Sequence, residues 1–244
     1  MIKIFLKEVF YMSQIIENLE KVERNIEEAC NESGRKRDEV TLIAVSKTKP
    51  VEDIREAMKC GIKIFGENKV QELREKTEII KESLEWHMIG HLQTNKVKYL
   101  PGMVYMIHSV DNLPLANEIE KQYRKHNMIA KILCEVNMAH EDTKYGLAPE
   151  DTLDFIKQIK DLTHIQIEGL MTIAPATEYP EDNRQYFSQL RQLEEKINIE
   201  LKMNMKELSM GMTGDYRIAI EEGATFVRVG TGIFGARNYA NVNT

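Results

Sequence analysis

The stretch Val40-Thr-Leu-Ile-Ala-Val-Ser46 decides the fold, because this short, β-branched apolar run is closed by Pro50 and followed by helical periodicity over residues 51–59. Such a run is typical of a strand buried on both faces of a parallel sheet. The same alternation recurs along the chain. Further strands are predicted over 63–66, 85–89, 104–110, 129–136, 165–173, 206–209 and 226–229, and further helices over 13–33, 68–81, 94–100, 112–126, 149–160, 183–199 and 215–222.

Eight strand–helix units without a long linker predict an α/β protein that is a single (β/α)8 TIM barrel. An extra helix precedes it, with Ser13 as its expected N-cap. The rival architecture is an open doubly wound sheet, but no GxGxxG turn for a dinucleotide follows the first strand. We expect one domain over residues 12–240. Residues 1–11 are a candidate N-terminal extension, because Met12 offers a second start.

The composition argues against several classes of protein. With 33 Lys and Arg against 39 Asp and Glu, the formal charge is −6, whereas a general nucleic-acid binder is usually basic. The three cysteines form no CxxC pair, so neither a disulfide framework nor a structural zinc site is expected, and we predict a reducing, cytoplasmic location. Charged residues interrupt the first twelve residues, which therefore lack the apolar stretch of a signal peptide or membrane span.

Two turns rich in glycine and hydroxyl groups follow the last two predicted strands. Residues 209–215 read SMGMTGD, and residues 228–232 read RVGTG. Phosphate commonly binds in TIM barrels at the loops after strands seven and eight, where backbone N–H groups and hydroxyls surround an anion. We therefore expect an anion site here, although the glycines would also suit ordinary turns that need a positive φ.

A lysine follows the first strand directly, in Ser46-Lys-Thr-Lys-Pro50. At the barrel mouth, poor hydration lowers the pKa of an amine and leaves it neutral, the form that attacks an aldehyde. Strand alternation does not separate Lys47 from Lys49. Lys49 abuts Pro50 and belongs to the loop, so Lys47 is the stronger candidate. The alternative is a solvated lysine at a strand end.

Two further polar residues occur at strand ends. Arg228 lies within the last apolar strand, where an arginine is rarely buried without a partner. It would serve either as a donor to a ligand or in a structural ion pair. Asn68 follows the second strand and is either a ligand-binding group or the N-cap of the next helix.

Other chemical motifs are weaker. His87 and His91 are four residues apart, but Gly90 lies between them and the segment is predicted as strand and loop, so zinc ligation from one helix face does not apply. The sequence contains no GxSxG, Walker or paired-carboxylate motif. No metal is expected.

Five motifs then occur together in a fixed order: Ala44-Val-Ser-Lys-Thr-Lys-Pro50, Phe65-Gly-Glu-Asn68, Trp86-His-Met-Ile-Gly-His-Leu-Gln93, Ser209-Met-Gly-Met212 and Val227-Arg-Val-Gly-Thr-Gly-Ile-Phe-Gly-Ala-Arg237. With them, the sequence from about Met12 to Asn238 resembles the pyridoxal 5′-phosphate (PLP) homeostasis protein family, the YggS/PROSC type. The resemblance implies a one-domain barrel like the N-terminal domain of alanine racemase.

The resemblance also implies roles for individual residues. Lys47 would hold PLP as a Schiff base, Arg228 would face the pyridine nitrogen, and Asn68 would lie near the ring. Thr213-Gly214 departs from the family's pattern, so neither residue is included. The implied PLP-binding residues, with no catalytic residue, are Lys47, Asn68, Ser209, Gly211, Arg228, Gly230 and Thr231.

The implied function is intracellular PLP (vitamin B6) homeostasis without catalytic turnover. A permanently charged arginine disfavours protonation of the pyridine nitrogen, which makes the ring a weaker electron sink. PLP is the expected ligand, PLP-dependent enzymes are candidate transient partners, and neither nucleic acid nor membrane is expected. No swapping domain is visible, which favours a monomer.

Two alternatives remain open at the level of sequence. An amino-acid racemase on this barrel would need a second base, a tyrosine that an additional domain and the partner subunit supply. We expect no such domain here, and no argument places Tyr239 as its substitute. A sugar-phosphate barrel enzyme would use Lys47 for a Schiff base with its substrate.

Overall fold

The computed structural model describes residues 2–236, with side chains from residue 14 onwards. Eight parallel strands form a closed barrel in the order of the chain, and the last strand pairs with the first. The predicted (β/α)8 barrel is therefore confirmed. The strands are β1 (Thr41–Val45), β2 (Ile64–Glu67), β3 (Glu85–Met88), β4 (Met106–Val110), β5 (Ala130–Glu135), β6 (Ile165–Met171), β7 (Glu207–Met212) and β8 (Phe226–Val229).

Helices surround this barrel and connect its strands. They are α1 (Ile2–Glu32), α2 (Val51–Lys59), α3 (Val70–Ile79), α4 (Leu113–Lys125), α5 (Pro149–Ile159), α6 (Arg184–Leu201), α7 (Tyr216–Glu221) and α8 (Thr231–Phe234). Short 3-10 helices occur at Arg37–Glu39, Thr94–Tyr99 and Pro180–Asn183. Within residues 2–236, no helix is both long enough and apolar enough to cross a membrane.

The apolar core has two parts because a barrel strand has two faces. The larger part lies between the strands and the outer helices and includes Leu73, Phe187 and Ile197. The smaller part lies inside the barrel and contains Ile43, Met106, Leu133, Met171 and Phe226. Side chains on a strand alternate between these two faces, so near-continuous apolar runs such as 41–45 supply both parts.

The interior of the barrel becomes polar towards the carboxyl ends of the strands. Two residues after Met106 the inner face of β4 carries His108, and two residues after Phe226 the inner face of β8 carries Arg228. Both polar side chains are buried. The apolar end closes the barrel, and the polar end forms the floor of a cavity.

Three predicted elements differ from the observed ones in type or by more than two residues at an end. The first helix begins at Ile2, so Ser13 is inside it and is not its N-cap; the preceding residues contain no Gly or Pro to stop a helix. The segment predicted as a helix over 94–100 is the 3-10 helix Thr94–Tyr99, which Pro101 follows closely. The seventh strand extends to Met212 instead of ending at Ser209. The assignment of residues 1–11 to an extension stays a prediction.

Helix α1 packs against α2, α7 and α8. Its Asn18 donates to the carbonyl of Ile233, and its Asn25 donates to the hydroxyl of Tyr216. Ile26, on the same helix, is fully buried in the larger core. This helix therefore covers the elements that follow the last two strands.

Replacing Ile26 with Ala is expected to lower the free energy of unfolding by about 2–5 kcal/mol, because the change leaves a cavity beneath α1. Urea denaturation followed by circular dichroism measures this. The matched control is Ile16→Ala on the same helix, where the side chain is 38% exposed and the expected loss is below about 1 kcal/mol. Equal losses at both positions would contradict the described packing of α1.

Candidate functional site

A cavity of about 300 Å³ opens at the carboxyl ends of the strands. This is the end at which TIM barrels place their functional groups. The described lining combines apolar walls with two cationic side chains and hydroxyl groups. It consists of Val45, Lys47, Asn68, Ile89, Ile173, Met212, Thr213, Gly214, Arg228, Gly230 and Thr231.

The structure separates the two candidate lysines. Lys47 is half-buried and lines the cavity. Lys49 does not line it: its Nζ donates to the carbonyl oxygens of Phe234 at 2.7 Å, Gly235 at 3.2 Å and Ala236 at 3.3 Å. Lys49 thus binds the end of α8, and Lys47 is the lysine whose side chain belongs to the cavity.

Arg228 is only 4% exposed and forms part of the cavity floor. Its Nη1 donates to Ser209 Oγ at 2.6 Å, and its Nη2 donates to the carbonyl of Thr172 at 2.8 Å. Burial lowers the pKa of Arg228 to about 10, while Glu135 and Asp215 oppose that shift. The guanidinium is therefore charged at neutral pH and fixed in orientation by two hydrogen bonds.

A chain of hydrogen bonds continues from Arg228 through the barrel interior. Ser209 Oγ lies 2.9 Å from His108 Nδ1, and His108 Nε2 lies 2.8 Å from His87 Nδ1. Because Ser209 already accepts from Arg228, its own hydroxyl hydrogen is left to donate to His108, which in turn donates to His87. Burial lowers the pKa of His87 to about 3 and the pKa of His108 well below its usual range, so both rings are neutral.

The turns after β7 and β8 meet through hydroxyl and backbone groups. Thr213 Oγ1 accepts the N–H of Gly232 at 3.1 Å and lies 3.2 Å from Thr231 Oγ1. Within α8, the N–H groups of Ile233 and Phe234 donate to the carbonyl of Gly230 at 3.0 and 2.9 Å, so the N–H of Gly232 is the donor that this helix is seen to direct at the cluster. The arrangement suits an anion. Thr213 and Gly214, left out of the predicted site, both line the cavity.

Asn68 is a cavity residue and not a helix cap. The N-cap of α3 is Lys69, so the N-cap interpretation of Asn68 is wrong. Asn68 Oδ1 is buried and has no hydrogen-bond partner among the described residues. A Cβ on Gly90 would lie 2.6 Å from the Asn68 backbone, so only glycine lets the two loops approach this closely. An unpaired buried oxygen is a polar group for which a ligand can supply the partner.

Ser209 and Gly211, two of the predicted residues, do not line the cavity. The extension of β7 to Met212 places both within a strand instead of in the turn that follows it. Ser209 accepts a hydrogen bond from Arg228 through its hydroxyl oxygen. Gly211 has a φ of 86°, and a Cβ there would lie 2.5 Å from the Cβ of Ala219, so this glycine allows α7 to pack on β7.

Two buried groups behind the cavity, His108 and Glu135, were not predicted from the sequence. His108 could have been found from strand alternation, because it lies two residues after the interior residue Met106. Glu135 is 6% exposed at the end of β5. Its burial and the nearby Asp111 raise the pKa of Glu135 to about 7, against the influence of Arg228 and Lys144.

The histidines considered for zinc do not converge. His87 faces the interior chain, whereas the ring of His91 is exposed and stacks on Tyr145 with 3.7 Å between centroids. Among residues 2–236, no group of three or more His, Cys, Asp or Glu side chains is placed to hold a metal ion. The cavity is suited instead to an anionic ligand with a group that reacts with, or hydrogen-bonds to, an amine.

Glu135→Gln is expected to change how stability depends on pH. A folded-state pKa of about 7, above the ordinary 4.5, means that the wild-type carboxyl favours the folded state at low pH and that this contribution is lost as the pH rises through 7. The Glu135→Gln variant has no ionisable carboxyl at this position, so its stability does not fall for this reason as the pH rises. Relative to wild type, its free energy of unfolding should therefore rise by on the order of 2 kcal/mol from about pH 5 to about pH 8.

Urea denaturation at several pH values measures this difference. Glu178→Gln, at an exposed position, is the control and should follow the wild type at every pH. A Glu135→Gln curve parallel to the wild-type curve would show that the carboxyl of Glu135 has an ordinary pKa.

Comparison with known proteins gives a consistent result at the level of sequence. Residues 18–238 match the family described as alanine racemase, N-terminal domain. A pyridoxal phosphate homeostasis protein of Aquifex aeolicus is 47% identical, with 91% of this chain and 98% of the relative covered. The protein of the same name from Pasteurella multocida is 40% identical, with 93% and 99% covered.

Solved structures share the fold. PipY of Synechococcus elongatus, with PLP bound, has a TM-score of 0.80 and 33% identity, with 91% of this chain and all (100%) of PipY covered. An unknown protein from Bifidobacterium adolescentis has a TM-score of 0.85 and 32% identity, with 92% and 96% covered. An alanine racemase of Clostridium difficile, at 15% identity and a TM-score of 0.75, matches over 94% of this chain and 58% of its own length and supports the fold alone.

Proposed function

This chain belongs to the pyridoxal phosphate homeostasis protein family, and from that membership we propose that its barrel-mouth cavity binds pyridoxal 5′-phosphate and that the protein serves PLP homeostasis. The observation that carries the proposal is the meeting of Lys47, Arg228 and the paired hydroxyls of Thr213 and Thr231 in one cavity. A relative with the same fold binds PLP.

The residues present fit this ligand. PLP carries a phosphate, an aldehyde, a phenolic oxygen and a pyridine nitrogen, and each has a candidate partner around the cavity. The hydroxyls of Thr213 and Thr231 suit the phosphate, which in TIM barrels commonly binds at the loops after strands seven and eight. Arg228 is a fixed donor for a ring acceptor. Asn68 Oδ1 is a buried acceptor without a partner among the described residues, and it suits the phenolic group when that group is a hydroxyl that donates.

Lys47 is assigned the covalent attachment. When bound, PLP supplies an aldehyde, which a neutral primary amine converts to a carbon–nitrogen double bond with release of one water. Val45, Ile89 and Ile173 form apolar walls around the cavity that Lys47 lines. These walls limit the access of water to the part of the cavity that the half-buried Lys47 lines.

We propose that Arg228 limits the catalytic reactivity of bound PLP towards amino acids. Its guanidinium is held by Ser209 and Thr172 and remains charged at neutral pH. Facing a pyridine nitrogen, a fixed cation disfavours protonation of that nitrogen, because two positive charges would then be adjacent. The ring would therefore withdraw electrons weakly, which favours retention of the ligand over turnover of amino acids.

The ionisable groups of the cavity support the same conclusion. Among the described lining residues, Lys47 and Arg228 are the only ones with a basic side chain, and none has an acidic one. Racemisation needs a base on each face of the substrate, and Lys47 supplies one. Tyr239, considered in that context, lies outside the described residues. We therefore propose a carrier that stores PLP and releases it to PLP-dependent enzymes.

Lys47→Ala is expected to abolish the visible absorption of amine-linked PLP, while weaker binding through the phosphate persists. Lys49→Ala is the matched control and should retain the absorption, because Lys49 binds the end of α8. Borohydride reduction followed by peptide mapping locates the label. A label on Lys49 in the wild type would contradict the assignment of Lys47.

Arg228→Gln is expected to make the absorption of bound PLP depend on pH across the neutral range, because the pyridine nitrogen is then free to take up a proton. Arg24→Gln, on the exposed face of α1, is the control and should leave the spectrum unchanged. Spectra of the loaded proteins across pH measure the effect. If Arg228→Gln also leaves the spectrum unchanged, Arg228 does not govern the protonation of the ring.

A further inference from the structure

The residues on either side of Lys47 form a strained turn. The N–H of Lys49 donates to the carbonyl of Ser46 at 3.0 Å, so Lys47 and Thr48 occupy the centre of a four-residue turn. Thr48 has a φ of 62°. Turns with a positive φ at the third position favour glycine or asparagine, and a β-branched residue there is an outlier. Such a conformation persists only where surrounding contacts impose it.

Helix α3 supplies the contact that holds Thr48. The backbone N–H of Thr48 donates to Glu72 Oε1 at 2.5 Å. The same oxygen accepts from Lys76 Nζ at 2.6 Å, one helical turn further along α3. A carboxylate that receives both a backbone N–H and an ammonium makes charge-assisted hydrogen bonds, which are stronger than neutral ones.

The ammonium of Lys76 also holds the other neighbour of Lys47. Lys76 is 5% exposed, and its Nζ donates to the carbonyl of Ser46 at 2.7 Å. It donates in addition to Glu67 Oε1 at 2.7 Å, and this oxygen accepts the hydroxyl of Ser46 at 2.6 Å. One buried ammonium therefore connects β2, α3 and both sides of the turn.

Stabilisation of the fold does not explain why these charged groups are buried together. Burial raises the pKa of Glu67, and Lys76 opposes that rise. A buried ion pair gives little net stability when compared with an apolar pair of the same size. The cluster has a geometric consequence instead, because its three hydrogen bonds with main-chain and side-chain groups of Ser46 and Thr48 fix the backbone from which the Lys47 side chain extends.

We propose that Lys76, acting with Glu67 and Glu72, is a positioning group that holds the Ser46–Lys49 turn and so directs the amine of Lys47 into the cavity. This inference rests on the proposed function in one respect, because it assigns the consequence of the turn to the capture of PLP by Lys47. Lys76 does not touch the ligand in this account. It acts through the two residues that flank Lys47.

The first measurement is amide hydrogen exchange of the turn in protein without PLP. Glu72→Ala removes the acceptor of the Thr48 N–H and is expected to speed exchange there by about tenfold or more, since hydrogen bonds to charged groups are stronger than neutral ones. Glu72→Gln keeps an oxygen acceptor without the charge and should fall between Glu72→Ala and wild type. Glu75→Ala, at an exposed position of the same helix where the carboxylate accepts from Gln71 at 2.9 Å, should match the wild type.

The second measurement is the rate at which the same proteins capture added PLP, followed by its visible absorption and normalised to folded protein. Glu72→Ala is expected to slow capture about tenfold, with Glu72→Gln between, because the amine then samples more orientations. A purely structural role would lower the melting temperature without slowing capture by the folded protein. Lys76→Met leaves the buried Glu67 without its cation and threatens folding, so the Glu72 variants carry the test.

The outcomes separate the two proposals. Failure of the wild type to capture PLP would overturn the proposed function, and the inference about capture with it. Capture by the wild type with unchanged exchange in Glu72→Ala would overturn the inference alone, because the contact would not hold the turn. Faster exchange with unchanged capture would also overturn it, because the turn would not direct Lys47. Faster exchange together with slower capture supports it.

Discussion

The guanidinium of Arg228 is a charge inside a protein barrel, and much of the surrounding structure meets its requirements. A buried charge is costly unless it is hydrogen-bonded. Here Ser209 and the carbonyl of Thr172 accept from it, and the two histidines beyond Ser209 are neutral, so they add no repulsion. The apolar cluster at the other end of the barrel lets this one end become polar without loss of the core.

The two cationic side chains of the cavity are therefore held in different ways. Arg228 is fixed by the barrel interior, through residues of neighbouring strands. Lys47 follows the end of β1 by two residues and lies on a turn whose backbone is held by α3. Groups held by strands and helices keep their geometry better than groups on unsupported loops. In this protein a loop residue gains such support from a buried ion cluster.

Much of this was predictable from the sequence, and the exceptions have physical reasons. Apolar runs and helical periodicity predicted the barrel, and the position after the first strand predicted that Lys47 faces the cavity. The end of β7 was not predictable, because Gly211 is typical of a turn, whereas here it lies inside the strand with a positive φ. Ser209 was consequently placed in the ligand-binding turn, whereas it lies within β7 and accepts from Arg228; its contact with a ligand stays a prediction. The cluster around Lys76 depends on contacts between residues up to 30 positions apart, which no local pattern reveals.

The central claim is that one cavity binds both the aldehyde and the phosphate of PLP. Equilibrium titration of the wild-type protein, with PLP and with pyridoxal in parallel, tests it most directly through the visible absorption of the bound ligand. We expect saturation at one PLP per chain and binding of pyridoxal weaker by at least about 100-fold, because the hydroxyls after β7 and β8 lose their anion. Equal affinity for the two ligands, or no saturable absorption with PLP, would contradict it.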